Sequence, residues 1–175
     1  MAEYPAQLVT QRRLRDGRTV TIRPIRADDN LLEREFVQRL SGETRYLRFQ
    51  KWVHSPSDRL IHFLTQVDYD RHLALVCTFE GDGGEMVVGE ARYVASPDAE
   101  NCELGIVIAD AWQKSGIAGL LMEALLRAAR ARGLKQMEGQ VFSTNRSMLR
   151  FVRALGFEVQ TMPEDRTMVR IVKAL

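Results

Sequence analysis

The stretch from Asn101 to Gly133 limits the fold more than any other part of this chain. Residues 101–109 read as a strand that runs straight into a short loop containing Gly116. The loop opens onto a segment in which Ala118, Leu121, Met122, Leu125, Leu126 and Ala129 fall on one helical stripe. Such spacing puts the apolar side chains on a single face, so a long helix over 116–132 is expected to pack on a sheet. Arg127, Arg130 and Arg132 suit the negative end of its dipole, and Gly133 suits a left-handed cap.

A strand, a glycine loop and a helix start, in that order, make an anion site. The first N–H groups of a helix have no partner inside it, and the aligned peptide dipoles leave that end positive. Phosphate therefore binds there without a dedicated side chain. Gly116 lets the main chain come close to the anion, small Ala118 and Gly119 keep the approach clear, and Lys114 adds a point charge. Two other phosphate motifs do not fit. A P-loop needs its lysine after the second glycine, whereas Lys114 precedes Gly116. A dinucleotide fingerprint needs three spaced glycines in a first βα turn, whereas this loop follows antiparallel strands.

Those strands are Leu73 to Phe79 and Met86 to Ala95, joined by Glu80-Gly-Asp-Gly-Gly84, with Ser96-Pro-Asp98 leading into Asn101. Upstream, Val20 to Arg26 alternates as a strand, and Pro24 marks an edge or the strand's end. Asp28 and Asp29 offer caps to a helix whose stripe is Leu31, Leu32, Phe36, Val37 and Leu40; a second helix starts near Ser41, and a third after Ser55-Pro56. Downstream come a strand at Leu134 to Phe142, a helix from Asn145 to Leu155 capped by Thr144 or Asn145, and strands at Phe157 to Gln160 and Thr167 to Val172. The class is α/β (α+β).

At 175 residues the chain suits one domain, read as an N-terminal arm over 1–19 and a folded domain over 20–175. Net charge is only +2 with basic residues dispersed, which argues against nucleic acid as a partner. Arg12, Arg13, Arg15 and Arg18 read as a solvated arm. No stretch approaches the roughly 18 apolar residues of a membrane span, and residues 1–13 lack a signal-peptide core, so a cytoplasmic protein without membrane contact is expected. Cys77 and Cys102 sit in apolar runs and read as buried thiols. His54, His62 and His72 have no ligand-like spacing, so no metal is expected.

Gln113-Lys-Ser-Gly-Ile-Ala118 resembles the loop with which GNAT N-acetyltransferases cradle the coenzyme A diphosphate, and Asn145 to Phe157, ending in Leu-Gly-Phe, resembles their second motif. Leu40 to Phe49 and Leu64 to Arg71 resemble the acyltransferase domain of bacterial protein-lysine acetyltransferases in particular. The resemblance covers residues 20 to 175. It implies a GNAT fold, with a mixed, mostly antiparallel sheet of six to seven strands flanked by helices and splayed between the fourth and fifth. It also implies acetyl-CoA as co-substrate, held by Gln113, Lys114, Ser115, Gly116, Ile117, Ala118 and Gly119, by main-chain groups of Ile106, Val107 and Ile108, and by Asn145.

Acetyl transfer to an amine requires a base, because an alkylamine with a pKa of about 10.4 is protonated at neutral pH. Alternation sets Glu103, Gly105 and Val107 on one face of their strand, so Glu103 stands apart from its apolar neighbours. Its position matches the family's catalytic glutamate. Many relatives have a tyrosine four residues before the glycine of Leu-Gly-Phe, to protonate the leaving thiolate; here that position is Val152, leaving solvent, Tyr93 or Ser147 for the role. The expected acceptor is a primary amine, first of all a protein lysine, and the expected assembly a monomer or homodimer. A small-molecule amine acceptor, or a non-catalytic acyl-CoA-binding module, stands as the alternative.

Overall fold

The computed structural model describes residues 3–175. Its strands are β1 (Thr10–Arg13), β2 (Thr19–Pro24), β3 (His72–Gly81), β4 (Gly84–Ala95), β5 (Asn101–Ile108), β6 (Gln136–Phe142), β7 (Glu158–Thr161) and β8 (Met168–Ala174). Its helices are α1 (Asn30–Arg39), α2 (Gly42–Phe49), α3 (Asp58–Thr65), α4 (Ile117–Arg132) and α5 (Arg146–Ala154). The strands form one open sheet in the order β1-β2-β3-β4-β5-β6-β8-β7. No helix among the described residues is long and apolar enough to cross a membrane.

The sheet is covered on both faces. Leu73 to Cys77 of β3 are all buried, as a strand between two helical layers requires. A Cβ on Gly89 of β4 would meet Ile117 and Leu121 of α4, whereas its neighbour Glu90 faces α1 and α2. Successive strand residues point to opposite faces, so α4 lies on one side and α1 and α2 on the other. Of the stripe expected on α4, Leu121, Met122, Leu125, Leu126 and Ala129 are buried and Ala118 is half-buried, and Gly133 closes the helix with φ 90°.

The sheet parts where the sequence resemblance implied. β4 and β5 pair from Gly89↔Ile108 to Ala95↔Cys102, but β5 and β6 run parallel and pair only at Asn101↔Gln136, Cys102↔Met137 and Glu103↔Glu138. Beyond Glu103 they diverge, which frees one edge of β5. These are the strands expected as fourth and fifth, renumbered because the sheet has eight.

The added strand is β1, inside the segment read as an arm. It pairs antiparallel with β2 from Thr10↔Ile22 to Arg13↔Thr19, so β2 is not an edge and Pro24 simply ends it. All four β1 residues are exposed, so they carry no apolar alternation. Met1 and Ala2 of that arm lie outside the described residues. Two helix starts also differ from expectation. Asp29 precedes α1 but makes no side-chain cap, because its oxygens accept from Arg23 at 2.7 and 3.0 Å and from the Arg26 N–H. Leu31, assigned to the apolar stripe, is 66% exposed. α3 begins at Asp58 rather than at Pro56, because Ser57 supplies the cap by accepting from the Leu60 N–H.

Candidate active site

The parted strands open a cleft of about 1070 Å³. Ile106, Val107 and Ile108 of β5, the whole of Gln113 to Gly119, and Asn145 all line it, so one cavity gathers every residue assigned to the coenzyme from sequence. Gly116 caps α4 with φ 93°, and Lys114 also takes a left-handed conformation at φ 64°. The first hydrogen bond into the helix runs from Leu120 N–H to Gly116 C=O, 3.2 Å. Among the described residues, the main-chain N–H groups of 114–119 donate to no protein acceptor, leaving a cluster of free donors at the positive end of the dipole. Ile117 is fully buried, its side chain turned onto Gly89 of β4. Gln113 Nε2 donates to the free-edge carbonyl of Ile108 at 3.3 Å. Asn145, rather than Thr144, caps α5, its Oδ1 accepting from Met148 N–H at 3.2 Å.

Glu103 is exposed and lies on β5 where the split begins, opposite Val94 of β4 and Glu138 of β6. Gly105, two residues on, is covered by Arg48 of α2: a Cβ there would sit 2.7 Å from the Nη2 of Arg48. The same helix reaches the other arm of the split. Tyr46 stacks on Phe142 at 5.3 Å, and Gln50 Nε2 donates to the Gln140 carbonyl at 3.1 Å. Trp52, which is 70% exposed, leans on Tyr46 with ring centroids 4.5 Å apart. Asp110 fixes the start of α2 to the loop, accepting from Ser41 N–H at 2.8 Å and from the hydroxyls of Ser41 and Thr44 at 2.9 and 2.6 Å.

Beneath Gly105 lies a buried charge cluster that sequence reasoning missed. Arg92 of β4 donates to Glu90 at 3.0 Å and to the Leu64 carbonyl at 3.0 Å, lies 3.9 Å from Glu33 of α1, and touches His72 of β3 at 2.9 Å. Arg48 lies 3.9 Å from Glu90. Burial, then the Glu90 charge, pushes the Glu33 carboxyl well above the usual carboxylate range. Glu90 moves the other way against its own burial, drawn down first by the Arg92 charge, with Arg48 adding to it. Both Glu33 carboxyl oxygens and the Glu90 Oε2 are buried without a hydrogen-bond partner among the described residues. The available signal was Glu90 and Arg92 at i and i+2 in an otherwise apolar strand, a pattern that demands buried partners.

Of the hydroxyls considered for thiol protonation, Tyr93 is 1% exposed, and burial pushes it up to about 12. Ser147 lines the cleft, and Val152 is fully buried in the core. Cys77 and Cys102 are buried and unpaired, with burial pushing both thiols up to about 12. Among the described residues no group of three or more His, Cys, Asp or Glu is placed to hold a metal. The β1–β2 turn was also missed: Arg13 to Asp16 lie on the cleft wall, and the Arg18 guanidinium sits 3.7 Å over the ring of Trp112.

Residues 19–158 match the acetyltransferase (GNAT) domain family. A curated acetyltransferase of Pseudomonas aeruginosa is 39% identical over 89% of this chain and 84% of its own length. The acetyltransferase Pat of Mycolicibacterium smegmatis is 32% identical over 82% of this chain, which spans only 42% of that protein. Among solved structures, the GNAT domain of S. lividans PAT superposes with a TM-score of 0.88 at 28% identity, covering 99% of this chain and 100% of that one.

Proposed function

Because this chain belongs to the GNAT acetyltransferase family, we propose that it transfers the acetyl group of acetyl-CoA to a primary amine, in the first place a protein lysine. The observation that carries this reading is the row of unpartnered N–H groups over 114–119, which opens directly onto the free edge of β5. Bound acetyl-CoA supplies an acyl group already activated as a thioester. The chain does the rest. Residues 114–119 hold the diphosphate with main-chain donors, and Lys114 adds charge. The unpaired edge of β5, with Ile106 at its centre and Val107 and Ile108 lining the same wall, is offered to the amides of the pantetheine arm, as a neighbouring strand would be. Asn145, its Oδ1 engaged in the cap, leaves its Nδ2 for the ligand on the same wall.

Glu103 acts as general base through a water, taking a proton from the ammonium form of the acceptor so that the neutral amine can attack the thioester carbon. The carbon–nitrogen bond forms, and the attacking nitrogen gives up its second proton to solvent as the carbon–sulfur bond breaks. The thiolate takes a proton from solvent, directly or through Ser147, which solvent reprotonates and which is the one considered hydroxyl on the cleft wall. Support for a protein acceptor comes from the stretches at 40–49 and 64–71. The first of these forms α2, which borders the split beside the exposed Trp52.

Glu103→Gln should lower kcat by about a hundredfold or more, with calorimetric affinity for acetyl-CoA unchanged. Full turnover in that variant would remove Glu103 from the mechanism. An acceptor screen of peptides and small amines, read by free thiol, decides between the acceptor classes.

A further inference from the structure

The cleft does not end at the anion loop. Its far wall is the turn between β1 and β2, where Arg13 and Arg15 face the same cavity as Lys114 and Gly116. The turn is held in place. Leu14 is buried, its N–H donates to the Arg18 carbonyl at 2.8 Å, and Gly17 N–H donates back to Leu14 at 3.0 Å. The Arg18 guanidinium lies 3.7 Å over the ring of Trp112, the residue from which the anion loop departs, and Trp112 packs on Phe79 at 5.0 Å.

The charges of this turn divide into two groups. Arg18 is neutralised by Asp16 at 2.6 Å, and Asp110, the next carboxylate along, is taken by Ser41 and Thr44. Arg13 and Arg15 are exposed and have no carboxylate partner among the described residues. Glu43 of α2 is the other acid on this cavity, and among the described residues it makes no ion pair with either arginine. The turn thus presents two unspent guanidinium groups on a fixed hairpin, next to a loop whose amides already suffice for a diphosphate.

We propose that Arg13 and Arg15 form a second phosphate site, taking the 3′-phosphomonoester on the adenosine of coenzyme A. This rests on the reading of the cleft as the coenzyme site. A phosphomonoester carries about −1.5 to −2 charges near neutral pH and offers three acceptor oxygens, which suits the forked donors of arginine. The ligand class is therefore narrower than a bare diphosphate: an acyl-CoA with its 3′-phosphate in place.

Calorimetry with acetyl-CoA and with acetyl-3′-dephospho-CoA tests the site, on the wild-type protein and on the Arg13→Gln Arg15→Gln double variant, with thermal melts to confirm folding. Wild type should prefer the 3′-phosphorylated ligand by about tenfold or more, the size expected of charge-assisted hydrogen bonds. The double variant should lose that preference by weakening only the phosphorylated ligand. The single variants Arg13→Lys and Arg15→Lys should retain part of it. Equal wild-type affinity for the two ligands, or an equal loss for both in the double variant, would overturn the site while leaving the coenzyme reading intact. No binding of either ligand to wild type would overturn both.

Discussion

At the scale of single residues, the buried charges around β4 are the feature with a measurable signature. Burial, with the Arg92 guanidinium 2.9 Å away, pulls the His72 imidazole from 6.5 down to about 4, so it is neutral at pH 7. A folded value below the unfolded one means that the native state binds fewer protons between them. The stability His72 supplies is therefore present above pH 6.5 and lost as pH falls toward 4. Glu33 has the opposite sign: its raised value favours the fold below its ordinary 4.5, and that advantage disappears as pH rises through the raised value. Denaturant melts from pH 4 to 8 should show a shallower acid-side loss for His72→Gln, and for Glu33→Gln a gain over wild type that grows toward the alkaline side. Parallel curves for all three proteins would contradict this account. The sequence held only half of this cluster, as the i and i+2 charges of Glu90 and Arg92. Their partners come from α1, α2 and β3, and periodicity within one segment cannot report a contact between segments. Glu103 was readable for the reverse reason, since strand alternation alone sets it apart from Leu104 and Ile106.

At the scale of elements, the loop and α4 were legible because helix stripe, glycine placement and charge at the C-terminus all point the same way. β1 was not, because an exposed edge strand of Thr-Gln-Arg-Arg has no buried face to print a pattern. The start of α3 was misread because Ser55-Pro56 and Ser57-Asp58 both offer starting chemistry, and only the bond from Leu60 to Ser57 distinguishes them. Gly119 gives a test at this scale. It lies in the first turn of α4 with no positive φ, and a methyl added to its Cα would meet no heavy atom within 4 Å beyond the local helix backbone. Gly119→Ala should therefore stabilise the free protein by about 0.5–1 kcal/mol through helix propensity. The same methyl would stand among the main-chain donors, so affinity for acetyl-CoA should fall. Melts and calorimetry on one preparation read both changes, and a variant that binds as well as wild type would move the diphosphate away from this turn.

At the scale of the whole molecule, the eight-stranded sheet is two unequal pieces, one of β1 to β5 and one of β6, β8 and β7. The meander and the following βα unit could be derived from alternation and turn residues. The opening between β5 and β6 could not, since strand pairing over long separations leaves no local trace, and it entered only through family resemblance. Three register pairs, the Lys135–Glu100 contacts, the contacts of α2 and a shared apolar core join the pieces on either side of that opening. A ligand that pairs with β5 there serves as a rung of the sheet. Deuterium uptake at Gly139 to Val141 should accordingly slow when acetyl-CoA is added, whereas amides of β3, locked between β2 and β4, should hardly respond. On the proposed function, that rung is a molecule the enzyme must release at every turnover, so each catalytic cycle would loosen and re-tighten the joint between the two pieces.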